Sequence, residues 1–276
     1  ADIAFRKFEI DGKTCRLNGK RFLIKGANVH AWSPDKGKAC DFKWMKKDIE
    51  LMREANINAV RTSHYPPDDK FLMLCTRYGI TIMDEANFET HGLRDEIPGD
   101  NEWFFAMSLD RMKNMVLRDR NVPCVIIWSL GNENAWRFTK NHQVMLDFAR
   151  EFGGGRPVHS EVEMRDPLTL KNERLNSPTD FVSGMYGGLP RIKWYQTKMR
   201  NETRPFIFCE YMHSMGNSTG NLKEIFDEFR KDPSLNGGYL WDWVDQSLLM
   251  PLKENPNEKY LTYGIDWGTK PSSNNF

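Results

Sequence analysis

The stretch RPFIFCEYMHSMGNS, Arg204 to Ser218, sets a glutamate directly behind a short apolar run that reads as a buried strand. A second stretch, VIIWSLGNEN from Val125 to Asn134, does the same with Glu133. Short continuous apolar runs bounded by polar residues are what strands covered on both faces look like, as in a parallel sheet. An acid at the end of such a strand is costly to bury unless it is paired or used. Two strands that each deliver one glutamate at the C-terminal end suggest a pair of carboxylates facing a common substrate.

Working outward, the same alternation runs along the chain. FEIDGKTCRLNGKRFLIKGANVH alternates apolar and polar residues around Asp11-Gly12 and Asn18-Gly19, two good tight-turn pairs. This predicts a short hairpin leading into a first strand near Phe22 to Ala27. DFKWMKKDIELMREANI places Met45, Ile49, Met52 and Ala55 at helical spacing. Strand NAVRTSHY and the helix DDKFLMLCTRYG, stopping at Gly79, come next, then strand ITIMDEAN and a helix in FAMSLDRMKNMVLRDR. VIIWSL, the helix RFTKNHQVMLDFAREF and strand PVHSE continue the pattern, with a fifth helical segment expected within Pro167 to Asn176. DFVSGMY, a helix around Ile192 to Met199, FIFCE, the helix LKEIFDEFRK and GGYLWDWV complete it. Short apolar strands alternating with amphipathic helices predict an α/β fold, a (β/α)8 TIM barrel with a short N-terminal β-hairpin, for which ~250 residues is the usual size. The expected division of the 276 residues is a lead-in over 1–21, the barrel over 22–248 and a C-terminal loop segment over 249–276.

Composition excludes several classes. The 39 basic and 38 acidic residues are well mixed and leave a net charge of +1, so no phosphate-tracking stripe is visible and nucleic acid is not an expected partner. No apolar run approaches the ~20 residues of a bilayer span. The start, ADIAFRKFEIDGK, is too charged for a secretory h-region and reads like mid-protein sequence. The expectation is a piece of a longer multidomain chain, its compartment open between cytoplasm and periplasm. Five cysteines without a CxxC spacing argue against a disulfide framework or a zinc knuckle. Nine tryptophans suit core packing first, and the apolar faces of sugars second.

In such barrels the chemistry gathers at the C-terminal strand ends. Here those ends carry Asn28 and His30; Arg61, Ser63, His64 and Tyr65; Asp84, Glu85, Asn87, Glu89 and His91; Asn132 and Glu133; Tyr186; Glu210 and His213; and Trp241, Asp242 and Asp245. One polar residue at a strand end is usually a cap or a loop hydrogen bond. Polar residues at seven of the eight ends describe a polar mouth.

The motifs NAVRTSHYP, MDEANFETHG, RDRNVPCVIIWSLGNE, CEYMHSMGNS and GGYLWDWVDQSL, in that order, resemble the catalytic barrel of family 2 glycoside hydrolases, and among these the β-galactosidase branch. The resemblance runs from about Asn18 to the last residue. It implies a retaining exo-β-glycosidase with Glu210 as nucleophile and Glu133 as acid/base. In a retaining enzyme the two carboxyls stand ~5–5.5 Å apart across the bond. Arg61, matching the family's arginine near the nucleophile, would favour an ionised Glu210, whose charge would in turn favour a protonated Glu133. Tyr186 matches a tyrosine that hydrogen-bonds the nucleophile, and Asn132 would contact the sugar 2-hydroxyl. His30, His64 and His213 would bind sugar hydroxyls, with Trp241 as an apolar platform. The same resemblance implies a Mg²⁺ ion on Glu89, His91 and Glu133, no organic cofactor, and β-sandwich domains elsewhere in the longer chain.

Two loops depart from the β-galactosidase pattern: NENAWRF after Glu133, and NVHAWSP at the first strand, both near the sugar. A glucuronidase would be expected to show an Asn-x-Lys motif after the eighth strand, which SSNNF does not supply. A β-mannosidase, a β-glucuronidase or a hydrolase of modified galactans are the alternatives within the family. Outside it stand a metal-dependent hydrolase using Glu89, His91, Glu133 and His213, and a non-catalytic carbohydrate-binding barrel.

Overall fold

The computed structural model describes residues 5–162, 177–215 and 218–268. Three short strands open the chain, β1 (Phe8–Asp11), β2 (Thr14–Leu17) and β3 (Lys20–Arg21), paired as an antiparallel meander around the two predicted turns. Eight parallel strands follow: β4 (Ile24–Val29), β5 (Ala59–Thr62), β6 (Thr81–Glu85), β7 (Val125–Ser129), β8 (Val158–His159), β9 (Val182–Met185), β10 (Phe206–Tyr211) and β11 (Leu235–Leu240). Between them lie α1 (Phe42–Glu54), α2 (Asp69–Tyr78), α3 (Phe105–Asp119), α4 (Lys140–Phe152), α5 (Gly188–Lys198) and α6 (Leu222–Lys231). The sheet order β8-β7-β6-β5-β4-β11-β10-β9 is that of a barrel in chain order, joined through β4 and β11. Among the described residues, only β8 and β9 lack a ladder between them, and side chains bridge them: His159 Nε2 meets Ser183 Oγ at 2.8 Å, and the Val158 amide donates to Asp180 Oδ2 at 2.7 Å. The (β/α)8 expectation is met.

Local signals explain the helix limits. Asp41 caps α1 by accepting from the Trp44 amide, and Met45, Ile49 and Met52 form its buried stripe. Gly79 ends α2 in the left-handed conformation at φ 74°. For α4 the sequence predicts a start at Arg137, but the helix begins at Lys140, because Thr139 and His142 form a reciprocal capping box that fixes the entry. The last barrel strand starts at Leu235 and ends before Trp241, two residues earlier at its start than GGYLWDWV suggests. The helix expected within Pro167 to Asn176 lies outside the described residues. The segment after 248, expected as a loop, carries an antiparallel hairpin of β12 (Leu248–Pro251) and β13 (Lys259–Thr262).

Two apolar layers lie between sheet and helices. One joins α1 to α4 with β5, β6 and β7 through residues such as Met52, Val60, Ile82, Met115 and Val125. The other joins α5 and α6 with β9 to β11 through Ile192, Phe206, Phe208, Ile225 and Phe229. A third cluster of Ile24, Ala59, Met83, Ile127, Ile207 and Tyr239 is closed by the meander, whose Phe8, Ile10, Cys15 and Phe22 pack on it. Asn236 ties the meander down, accepting from the Cys15 amide at 2.7 Å and donating to the Lys13 carbonyl at 2.9 Å. Apolar closure at the strand starts leaves polar side chains for the strand ends. Cys124 and Cys209, beside and within core strands, are both buried free thiols.

Strand closeness makes one glycine indispensable. Gly237 has φ 89°, and a Cβ there would stand 2.0 Å from the Ile24 carbonyl oxygen of the neighbouring strand. Gly237→Ala should lower unfolding free energy in urea by ~1–3 kcal/mol. Gly12→Ala, at a turn with open space around the added carbon, should cost less. Equal losses would mean that the β4–β11 contact does not set the requirement.

Candidate active site

Arg61, on β5, is fully buried and organises the mouth. Its Nε and Nη2 donate to the two oxygens of Glu85 at 2.7 and 3.0 Å, a bidentate pair from the neighbouring strand. Nη1 donates to Glu210 Oε1 at 2.8 Å and to Asn28 Oδ1 at 3.0 Å, and Nη2 to Asn132 Oδ1 at 2.9 Å. One guanidinium thus links the ends of β4, β5, β6, β7 and β10. Burial alone would depress its pKa, but Glu85 and Glu210 outweigh that and raise it well above the ordinary value. Burial likewise works against an ionised Glu85, yet Arg61 and His64 overcome it and hold this carboxyl down at about 2.

Glu210 sits on β10, 2 % exposed, with a donor on each oxygen: Arg61 on Oε1 and the Tyr186 hydroxyl on Oε2. The Tyr186 amide also donates to the Glu210 carbonyl at 2.9 Å, so β9 and β10 fix the pair through backbone and side chain together. Burial, then the negative charge of Glu210, push the Tyr186 phenol up, which keeps it a donor. Glu133 follows Asn132 just past β7. Gly131 shapes that turn: at φ 126°, a Cβ would lie 2.3 Å from the Phe88 carbonyl oxygen. Glu133 (φ 37°), Tyr186 (φ 50°) and Met212 (φ 58°) are non-glycine residues in the left-handed region. Such positions cost of order 1–3 kcal/mol each and persist where surrounding contacts overdetermine them.

An aromatic and histidine wall lines the same mouth. Trp241 stacks on His64 at 5.1 Å between centroids and 8° between planes, and His30 meets both edge-on. His64 Nδ1 bonds Glu85 Oε1 at 2.7 Å, and because a carboxylate can only accept, Nδ1 carries the proton. Tyr65 Oη accepts from the Ala31 amide and stands 3.2 Å from His30 Nδ1. Burial first, then the charges of His64, Lys38 and Arg61, lower the His30 pKa to about 4, so this ring is neutral near pH 7. His213 packs against Tyr186 at 5.6 Å and against Trp241 at 6.5 Å.

Arg61, His64, Asn132, Tyr186, Glu210, His30, His213 and Trp241 are thus connected through these contacts, whereas Asp84 faces Thr62 and Asp119 and Asp245 bonds the Tyr263 hydroxyl. Three further residues, His159, Arg94 and Glu161, were not singled out. Glu85 and His159 form a strut: Ser129 donates to Glu85 Oε2 at 2.6 Å, His159 Nδ1 stands 2.9 Å from Ser129 Oγ, and burial lowers His159 to about 3. Arg94 donates to Glu133 Oε2 at 2.6 Å. Glu161, two residues past the end of β8, is half-buried with Oε1 enclosed and unpartnered. Burial pushes its carboxyl up to about 8, the charges of Glu133, Glu210 and Glu85 adding to the effect and Arg61 opposing it. Only Glu161 had a sequence signal: it ends PVHSE as Glu210 ends FIFCE.

The expected metal ligands are neighbours but do not make a coordination group. Glu89 Oε1 accepts from Asn132 Nδ2 at 3.3 Å, while His91 Nε2 lies 3.1 Å from Glu133 Oε2, the oxygen that Arg94 holds. Among the described residues no set of three His, Cys, Asp or Glu side chains could hold a metal ion.

Glu161 generates a pH prediction. In the fold it stays neutral up to about pH 8, whereas an unfolded glutamate ionises near ~4.3. Between those values the unfolded chain binds fewer protons, so this group's contribution to stability falls as pH rises. Glu161→Gln should therefore stabilise the protein near pH 8 by about 1–3 kcal/mol, with the gain shrinking toward pH 5. Urea unfolding at the two pH values checks this, and a gain that grows toward low pH would contradict it.

A family model described as "Glycosyl hydrolases family 2, TIM barrel domain" matches residues 8–276. A β-galactosidase of Pectobacterium atrosepticum is 41 % identical over 288 aligned positions, covering 100 % of this chain and 26 % of the relative. One from Lactococcus lactis is 39 % identical and covers 99 % of this chain and 27 % of the relative. The chain thus spans about a quarter of the length of these curated relatives. Among solved structures, a Ruminococcus gnavus β-glucuronidase superposes with a TM-score of 0.72 at 21 % identity, over 89 % of this chain and 47 % of that one, a likeness of fold. A Bifidobacterium dentium β-glucuronidase gives 0.65 at 25 % identity, over 86 % of this chain and 43 % of that one. With barrel, motifs and mouth all in agreement, the chain belongs to glycoside hydrolase family 2 and is its TIM-barrel domain.

Proposed function

We propose that this barrel is the catalytic domain of a retaining exo-β-glycosidase, most suited to terminal β-D-galactosides, with Glu210 as nucleophile and Glu133 as acid/base. The observation that carries the reading is the asymmetry between the two carboxyls. Glu210 is buried, ion-paired to Arg61 and bonded by Tyr186, so its orientation is fixed. Glu133 is more open, its side chain 16 % exposed, and its partners Arg94 and His91 share Oε2. Tyr186 and Glu161 each feel the charge of both, which supports reading the two acids as partners.

The chemistry follows from that asymmetry. Glu210 attacks the anomeric carbon as the glycosidic bond breaks, and Glu133 gives its proton to the departing oxygen. The carboxylate charge is consumed in the glycosyl ester. Glu133, now ionised, takes a proton from water, which attacks the same carbon from the side the aglycone left and frees Glu210. Asn132 has its amide oxygen on Arg61 and one amide proton toward Glu89, leaving the other to donate to the sugar 2-hydroxyl. Neutral His30 offers a further ring nitrogen to a sugar hydroxyl. The β-galactosidase relatives, about 40 % identical over the whole chain, support galactose as the sugar. Domains beyond the barrel, expected as β-sandwiches, would complete the pocket in a longer chain.

Aryl β-galactoside, β-glucuronide and β-mannoside should be compared on wild type, Glu210→Gln and Glu133→Gln. Galactoside should be preferred, and Glu133→Gln should lose ~10²–10⁴-fold on a poor leaving group but far less on dinitrophenolate, which needs no acid. Glu210→Gln should lose more, on every leaving group. Wild-type rates in the Glu210 variant would refute the mechanism, and preference for glucuronide or mannoside would replace the sugar.

A further inference from the structure

We infer that Arg94, seated on Trp136, serves as the resident cation of Glu133, so that this carboxyl is positioned without a divalent metal. The inference rests on the reading of Glu133 as the acid/base.

Three contacts carry it. Arg94 Nη1 donates to Glu133 Oε2 at 2.6 Å, with His91 Nε2 on the same oxygen at 3.1 Å. The Arg94 guanidinium lies 3.8 Å over the Trp136 ring, close enough for a strong cation–π contact. Glu89, the third expected ligand, has its Oε1 on Asn132 instead. A guanidinium always carries its charge and is weakly hydrated, so a flat indole and a carboxylate suffice to fix it. Mg²⁺ is a small ion that keeps near-ideal octahedral geometry and several waters. It would need the oxygen that Arg94 holds and would face a positive charge at contact distance. The donor set fits the arginine and not the dication.

The scaffold around Arg94 is fixed. Arg94 caps a short 3-10 turn, His91–Leu93. The loop carrying it is tied to the loop carrying Glu133 and Trp136: Thr90 Oγ1 donates to the Asn134 carbonyl at 3.2 Å, Asn134 Nδ2 to the Phe88 carbonyl at 2.9 Å, and Arg137 pairs with Asp100 at 2.5 Å. With Oε2 occupied, Oε1 is the oxygen left to serve the glycosidic oxygen. The NENAWRF loop, a departure from the β-galactosidase pattern, supplies the indole that Arg94 requires. Arg94 is thus a positioning residue, acting through Glu133.

Two readouts test this. First, Mn²⁺ is titrated into this chain by paramagnetic resonance and Mg²⁺ by calorimetry, alongside Glu133→Gln. No saturable Glu133-dependent site should appear up to millimolar ion; a submillimolar site present in wild type and lost in Glu133→Gln would overturn the inference. Second, in the full-length protein, Arg94→Ala should lower kcat/KM at least ~10-fold for a poor leaving group and much less for dinitrophenolate, part of the whole general-acid effect. Arg94→Lys should recover part of the loss. Equal losses on both leaving groups, with no recovery by lysine, would make Arg94 merely structural. The Glu133→Gln kinetics test the underlying mechanism separately, so either can fail alone.

Discussion

A single buried guanidinium is the constraint on which the mouth of this barrel depends. Arg61 has no contact with solvent and directs every side-chain nitrogen at an acceptor on another strand. An arginine so placed is tolerable only while its counter-charges stay in reach, because removing one partner of a buried pair typically costs ~3–5 kcal/mol. The register of β6 against β5 and the position of β10 across the barrel are therefore electrostatic requirements as well as hydrogen-bond ladders. Glu85 neutralises the arginine, and Glu210 shares what remains of its field. The strut behind Glu85, through Ser129 and His159 to Ser183, spans β8 and β9, which share no ladder among the described residues.

This division sorts two acids that a sequence reader would treat alike. Glu85 and Glu210 both end apolar strands, yet Glu85 has both oxygens on Arg61 plus His64 and Ser129, leaving it no capacity for substrate. Glu210 keeps only two donors and the edge of the mouth. Glu133 differs again, presented on a strained turn by Gly131 and held through one oxygen. Electrostatics and backbone geometry together set the three carboxyls apart.

Much of this was legible beforehand. Strands buried on both faces had to be short apolar runs, so the eight-strand alternation and the polar strand ends could be read directly. The capping box at Thr139 was less visible because its partner is a histidine, which shifted the start of α4. Glu161 and His159 escaped because β8 is only two residues long and gives no face on which to place them. Arg94 lies in a loop with no periodicity; only its contact with Glu133 and Trp136 gives it meaning. Sequence marks where the polar strand ends fall, whereas how differently each carboxyl is held depends on how the strands bring Arg61 to them.

The central claim is that Arg61 and Tyr186 hold Glu210 as the carboxylate that bonds to the sugar. Its most direct test is to trap that bond: incubation with a 2-deoxy-2-fluoro-β-galactoside bearing a dinitrophenyl leaving group, then proteolysis and peptide mass spectrometry. The account predicts stoichiometric release of dinitrophenolate and one fluoroglycosyl ester on Glu210. An ester on Glu85, Glu133 or Glu161, or turnover of galactosides by a protein that never becomes labelled, would contradict it.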